Sequence, residues 1–348
     1  MSLTRKHQIL KYIVEYFIKT AEPVGSNTLI NEYHVPYSSA TIRNDMADLE
    51  KEGYIEKTHT SSGRIPSSKG YHFYIDFLRE KSVDEEVKYQ LANIFTQREK
   101  SVDDVIKESC EILSHMTNLA SVVLGPSAND EHLLSVNIYA LSSNSATAVF
   151  ITDKGYVENK TFVLKDEVKV KDLEECVKLL NDRLKGAPIS QLVEKMEALK
   201  PILSDYIKSN DAIYRAIADA LIRFSSERVS MFGQSNLLNQ PEFNDTEKLK
   251  TLLKFIEDPD KFAGALKTTK NGVDVHIGEE NEHLDDVSVV TSDINVGGRQ
   301  LGKIALVGPT RMDYDKVLSA LEYVIEKFNE VYGADEGKEE EDDERRAN

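Results

Sequence analysis

Between residues 166 and 232 the apolar side chains recur almost wholly at helical spacing, while β-like runs stand on both sides of that stretch. Upstream lie ASVVLGP, HLLSVNIYAL, SATAVFITD and YVENKTFVL; downstream lie VDVHIG and VSVVTSDINVGGRQLGKIALVGP. Gly, Pro, Ser and Asn punctuate the runs, as turns require. The helical stretch is broken only near GAP (186–188) and at Pro201. Strands before and after helices, and none convincing among them, describe one α+β domain split by an inserted helical domain. Gly297 and Gly298 between two β-like runs signal a tight hairpin, because primed turns need positive φ. A closing helix over about Tyr314–Tyr332 carries Val317, Leu318, Leu321, Val324, Ile325, Phe328 and Val331 on one side, with Asp313 as its N-cap.

The first 81 residues follow a different plan. Ile9, Leu10, Ile13, Val14, Phe17 and Ile18 recur at helical spacing from Thr4 to about Thr20. EPVGS then breaks the chain, with Ser26 as the expected N-cap of a short helix bearing Leu29, Ile30 and Tyr33. HVPY is a second break before SSATIRNDMADLEKEGYIEK, after which YIEK reads as a strand, THTSSG as a flexible tip and RIP as the return strand. A further helix is predicted over about Ser67–Lys81. Three helices, a strand, a polar loop, a strand and a helix make a helix-turn-helix with a wing.

On a 100° wheel the third of these helices turns Ile42, Met46 and Leu49 inward. Ala40, Asn44, Ala47 and Lys51 then face outward, flanked by Thr41 and Arg43. Ser38 or Ser39 caps its start and Gly53 ends it. Small residues allow close approach to a groove, Asn matches adenine bidentately, and Arg contacts guanine or phosphate. Lys57, Arg64 and Lys69 are expected to neutralise phosphates, with the backbone of Ser61, Ser62 and Gly63 near the minor groove. An amphipathic surface helix would look similar in isolation; the preceding turn and the following wing favour DNA reading.

Charge and chemistry narrow the remaining classes. The formal net charge is −17, but residues 1–80 balance ten basic against ten acidic side chains, and 334–348 hold three basic against eight acidic. Bulk coating of nucleic acid is therefore disfavoured, whereas a small local DNA-reading face is not. The tail from Ala334 lacks an apolar face and is expected to be disordered. Cys110 and Cys176 show no ligand spacing and read as structural thiols of a reducing cytosol. No stretch approaches the apolar length of a membrane span, and MSLTRKHQILKYIVEYF is not built as a signal peptide, so a cytoplasmic protein without membrane partners is expected. No phosphate-binding loop or HExxH occurs, and GGRQLGKIALVG lacks the dinucleotide-binding spacing. His276 and His283 flank the acidic loop IGEEN at a spacing that matches no finger or helical metal site, and Cys110 and His115 are not paired on one helix face. No enzyme, metal or cofactor is expected.

The motifs EPVGS, SSATIRNDMADLEKEGYIEKTHTSSGRIPSSKGYHFYID, NLLNQPEF, IGEEN and VGPTRMDY, in this order, resemble the HrcA family of heat-inducible repressors of bacterial chaperone operons. The resemblance extends from the first helix to about Tyr332. It implies an N-terminal winged helix (1–81), a GAF-like α+β domain in two parts (82–165 and 233–333), an inserted helical dimerisation domain (166–232) and a tail outside the alignable part (334–348). It further implies a homodimer that binds double-stranded DNA at the inverted repeat called CIRCE, upstream of groE and dnaK, in the bacterial cytoplasm and on the nucleoid when bound. The chaperonin GroEL would keep such a repressor active until heat shock diverts it. The chain departs from the family pattern at Ser67 and His72, where Thr and Arg are more usual; His72 loses a permanent charge. A GAF-like domain also raises the alternative of a repressor controlled by a small ligand, although IGEEN and NLLNQPEF have a simpler reading as a structural loop and the chain's return from the insertion.

Overall fold

The coordinates are a computed structural model that describes residues 4–58, 63–83, 85–96, 102–125, 131–153, 157–163, 170–206, 214–215, 217–219, 221, 229–258, 261–262, 264, 272–280, 284–296 and 299–333. Ser61, Ser62, His283, the Gly297–Gly298 turn and the acidic tail lie outside the described residues. The strands are β1 (Ile55–Lys57), β2 (Arg64–Pro66), β3 (Ala120–Leu124), β4 (Leu133–Ala140), β5 (Ser145–Thr152), β6 (Val157–Val163), β7 (Val229–Phe232), β8 (Val273–Ile277), β9 (Val287–Val296) and β10 (Arg299–Pro309).

The chain divides into two compact units, of which the first comprises Met1–Val122, Met231–Ser292 and Ile304–Val331. It opens with helices α1 (Arg5–Thr20), α2 (Ser26–Tyr33) and α3 (Ser39–Lys51), followed by the antiparallel pair β1–β2 and helix α4 (Ser68–Phe73), which runs on as one π turn, Tyr74–Leu78. This is the element order of a winged helix-turn-helix. Ile9, Leu10, Ile13, Val14, Leu29, Ile42 and Leu49 are almost entirely buried. At about 1.5–3 kcal/mol for each such side chain, packing rather than propensity holds an eight-residue helix such as α2, which is too short to persist alone. The expected helix end near Lys81 falls earlier, at Leu78, because Arg79 is extended with its guanidinium on Glu322. Helices α5 (Glu85–Thr96) and α6 (Val102–Thr117) lead to a five-stranded sheet of order β7-β3-β10-β9-β8. The closing helix, Tyr314–Tyr332, buries Val317, Leu318, Leu321, Val324 and Phe328, and Asp313 Oδ1 accepts from Lys316 N as the N-cap reading requires.

The second unit comprises Val123–Ser230, Asp293–Lys303 and Tyr332–Asn348. Its sheet, in the order β4-β5-β6, is antiparallel throughout. Leu133, Val136, Ala146, Ala148 and Phe150 form one core with Leu173, Cys176, Leu180 and Leu184 of α7 (Val170–Leu184) and Leu192 and Met196 of α8 (Leu192–Tyr206). The unit inserted into the first is therefore mixed α+β and begins near 123, not helical and confined to 166–232. Val229–Phe232, expected to be helical, is a strand of the five-stranded sheet. Alternation in β5 announces a half-buried strand, but not which helices cover it; here α7 and α8 do, so β4–β6 leave the strands of the first unit.

A candidate DNA-reading face on the third helix

Helix α3 starts where Ser38 Oγ accepts from Thr41 N at 3.1 Å, with Thr41 Oγ1 2.9 Å away. It ends at Gly53, whose φ of +80° falls in the region that glycine adopts without strain. Ile42, Met46 and Leu49 are buried as the wheel requires, with Asp45 beside them. Ser38, Ala40, Arg43, Asn44, Ala47 and Lys51 are exposed, and Ser39 and Thr41 are half-buried.

The electrostatics of this helix come from its neighbours. Asp45, only 4% exposed, accepts both Arg5 Nε (2.6 Å) and Nη2 (2.9 Å) from α1. Lys6 Nζ reaches Asp48 at 2.8 Å and Glu52 at 3.1 Å, and its hydrogen bond holds the Asp48 carboxyl below the usual range. Glu50 accepts Arg64 Nη2 at 2.7 Å, with Lys57 Nζ at 3.4 Å. Every acid from Asp45 to Glu52 is thus engaged by a cation from α1, β1 or β2. Arg43, Lys51 and Lys69 make no ion pair among the described residues, although the charge of Lys51 acts on Asp48. The outer edge of α3 is left with positive charge, the sign a phosphate backbone selects. Sequence spacing does not reveal these pairings, since the partners lie 7 to 46 residues apart and on different elements.

The EPVGS and SGRIP motifs meet at the base of the wing. Val24 and Arg64 exchange backbone hydrogen bonds of 2.8 and 2.9 Å, extending the β1–β2 pair. Gly63 is buried against Pro23, where a Cβ would come within 2.7 Å of Pro23 Cβ. Gly63 is therefore required by packing at the wing base. Arg64 is a correction to the sequence reading: its side chain is 15% exposed and bound to Glu50, so it fastens the wing to α3 and is not free for a phosphate. Lys57 is exposed beside the same carboxylate. Lys69 donates to Glu52 O at 2.8 Å and lies 4.5 Å from the Tyr54 ring centroid, its charge unpaired. Ser26 is a second correction. It is the first residue of α2, whose N-cap is Gly25, and its hydroxyl is taken up by Arg43 Nε (3.2 Å) and Ser39 Oγ (2.9 Å).

The other motifs are structural clamps. Ser67, where the family more usually has Thr, caps α4 by accepting from Gly70 N at 3.1 Å. His72 Nε2 lies 3.0 Å from Glu280 Oε1 of IGEEN, and Glu280 Oε2 accepts from Ile277 N at 2.9 Å. In NLLNQPEF, Asn236 Nδ2 faces Ser114 O and Leu119 O at 3.1 and 3.0 Å, while Gln240 and Glu242 accept from Arg311 of VGPTRMDY. Cys110 and Cys176 are buried, and burial pushes each thiol up to about 12. Among the described residues there is no cluster of His, Cys, Asp and Glu arranged to hold a metal, and no helix is long and apolar enough to cross a membrane.

Comparison with known proteins adds a family and a fold. The model of the HrcA protein C-terminal domain matches residues 103–318, more than half of the chain. A crystal structure described only as that of a hypothetical protein at 2.2 Å resolution is 24% identical, covers 94% of this chain and 98% of its own, and aligns with a TM-score of 0.64. That likeness establishes the fold. HmgR of Pseudomonas aeruginosa (11% identical, covering 96% of this chain and all of its own) and IclR of Thermotoga maritima (12%, 94% and 98%) align with TM-scores of 0.22 and 0.23, too low to bear on the argument.

Proposed function

Given that the chain belongs to the HrcA family of heat-inducible transcription repressors, with a GAF-like C-terminal domain, we propose that it works as a homodimer on double-stranded DNA, reading the CIRCE inverted repeat upstream of groE and dnaK. The reading is supported above all by the paired acids of α3, which leave Arg43, Lys51 and Lys69 without an ion pair among the described residues, beside the small, polar edge of Ala40, Asn44 and Ala47. In this proposal Ser38, Ser39, Thr41 and Lys57 border that edge, and the wing tip with Ser61 and Ser62 follows the adjacent backbone. Two copies related by a two-fold axis present two such helices to a palindrome. The outer face of the second unit's sheet favours a second copy as partner. Opposite the core residues Val136, Ala148 and Phe150 it carries Ser135, Asn137, Thr147, Val149, Asn159 and Thr161, and no charged residue stands in that register. A chain of net charge −17 self-associates with least repulsion through such a face.

Modulation by GroEL rests on the family resemblance and completes the proposal: repression in the bacterial cytoplasm while the chaperonin maintains the folded repressor, and release on heat shock. Control by a small ligand is a second reading. It is favoured by a cleft of about 520 Å³ lined by Glu15, Tyr74, Gln240, Arg311, Met312 and Asp315. Fluorescence anisotropy against the repeat and a scrambled duplex, over a salt series and with or without GroEL, tests the first reading. Tight binding to the repeat alone is the expected result; equal weak binding to both, unrescued by GroEL, defeats it. Loss of repeat binding on exhaustive dialysis, restored by a metabolite fraction, would transfer the case to the ligand.

A further inference from the structure

Ser26 ties together the two helices of the helix-turn-helix. Its side chain is nearly buried, its Oγ accepts from Arg43 Nε at 3.2 Å, and it lies 2.9 Å from Ser39 Oγ. The tether occupies one edge of the guanidinium and leaves both Nη groups, with no carboxylate to take them among the described residues. Arg43 is thereby drawn toward the start of α2 instead of standing out along the axis of the exposed face. In a helix-turn-helix the earlier helix crosses the phosphate backbone while the recognition helix enters the major groove.

Taking α3 as the recognition helix, we infer that Ser26 is a positioning residue that turns Arg43 away from the base edges and toward a backbone phosphate. Arg43 is then an anchor indifferent to sequence, and direct reading falls to Ala40, Asn44 and Ala47. With Nε held, the guanidinium meets the phosphate end-on through Nη1 and Nη2, a fork that suits two phosphate oxygens. The inference assigns a role to a serine that sequence reading had placed at a helix cap.

The test is anisotropy on the full chain against the inverted repeat, its single-base-pair variants and a scrambled duplex, each over a salt series. Arg43→Ala, a change on an exposed side chain, is expected to weaken binding by one common factor on every duplex and to lower the slope of log K against log salt by about 0.9. Ser26→Ala should produce part of that loss with a slope change of the same sign, and Ser26→Ala/Arg43→Ala should bind no more weakly than Arg43→Ala alone. Asn44→Ala should instead lose preference at one base pair. An Arg43→Ala loss that disappears when a single base pair is changed would make Arg43 a base reader and overturn the inference. So would losses from Ser26→Ala and Arg43→Ala that multiply. If Asn44→Ala shifts base preference while Arg43→Ala does nothing, this inference fails and the recognition face stands. If wild-type protein binds the repeat and neither variant alters it, the recognition face itself fails, and the inference with it.

Discussion

Arg64 of β2 donates from Nε and Nη2 to one oxygen of Glu50 on α3, at 2.9 and 2.7 Å, and this pair fixes the wing to the proposed recognition helix. The arginine is mostly buried, so Glu50→Ala takes away its carboxylate, while Arg64→Ala leaves Glu50 with only the more exposed Lys57 at 3.4 Å. Glu50→Ala and Arg64→Ala are each expected to cost about 1.5–3 kcal/mol in urea unfolding, and the double variant much less than their sum. Because the charge is already neutralised, Arg64→Ala should leave the salt slope of DNA binding unchanged. A slope lowered by about one would show a phosphate contact instead.

Two carboxyls give opposite pH dependences. Burial acts to raise Glu50, but the hydrogen bond and charge of Arg64, with Lys57 beside it, hold it below its ordinary 4.5. A lowered carboxyl stabilises fully above the unfolded value and loses that contribution as pH falls through the folded value. The Tm gap between wild type and Glu50→Gln should therefore be constant near neutrality and shrink below about pH 4.5. Glu15, raised by burial and by Asp315 against the pull of Lys11, binds its proton more readily when folded, so its ionisation costs stability as pH rises. Glu15→Gln is expected to raise Tm near neutrality, with the gain fading on acidification.

Gly70 has no room for a side chain. A Cβ there would stand 2.0 Å from Tyr54 O, which accepts from Ser67 N at 3.1 Å, so α4 is pressed against the end of β1. Gly70→Ala must push the two apart, at a cost of about 1–3 kcal/mol or more. The same exchange at Gly186, where nothing lies within 4 Å of the added atom, has only its positive φ to pay for. A thermal melt of Gly70→Ala no lower than that of Gly186→Ala would contradict the close approach.

What the sequence displayed was local. The caps at Ser38 and Asp313, the α3 stop at Gly53 and the buried Ile42–Met46–Leu49 stripe depend on neighbours a few residues away, so spacing carried them. Ser26 looked like a cap because serine before a helix usually is one; its hydroxyl went to Arg43 and Ser39, 17 and 13 residues on. Arg64 looked like a phosphate contact because Glu50, its partner, is named only by the fold. Alternation in β4–β6 announced half-buried strands but could not say that α7 and α8 would cover them. The clasp of Arg311 on Gln240 and Glu242 joins two motifs about 70 residues apart and has no spacing to betray it.

The uncharged sheet face gives the sharpest test of self-association. Val149 lies at the centre of β5, opposite Asn137 on one side and Asn159 on the other, so any copy docked on this face covers it. It is half-buried in a single chain, and an Asp in its place would retain water there while the chain is alone. In a dimer the same carboxylate would meet its two-fold mate or be stripped of water, and burying an unpaired charge costs several kcal/mol. Val149→Asp is accordingly expected to give monomers in sedimentation equilibrium with a nearly unchanged circular-dichroism spectrum. Repeat binding should weaken steeply as well, because half-sites would then be held one at a time and the gain from linked binding is lost. A Val149→Asp protein that remains dimeric would move the interface to another surface, and the α3 assignment would be unaffected.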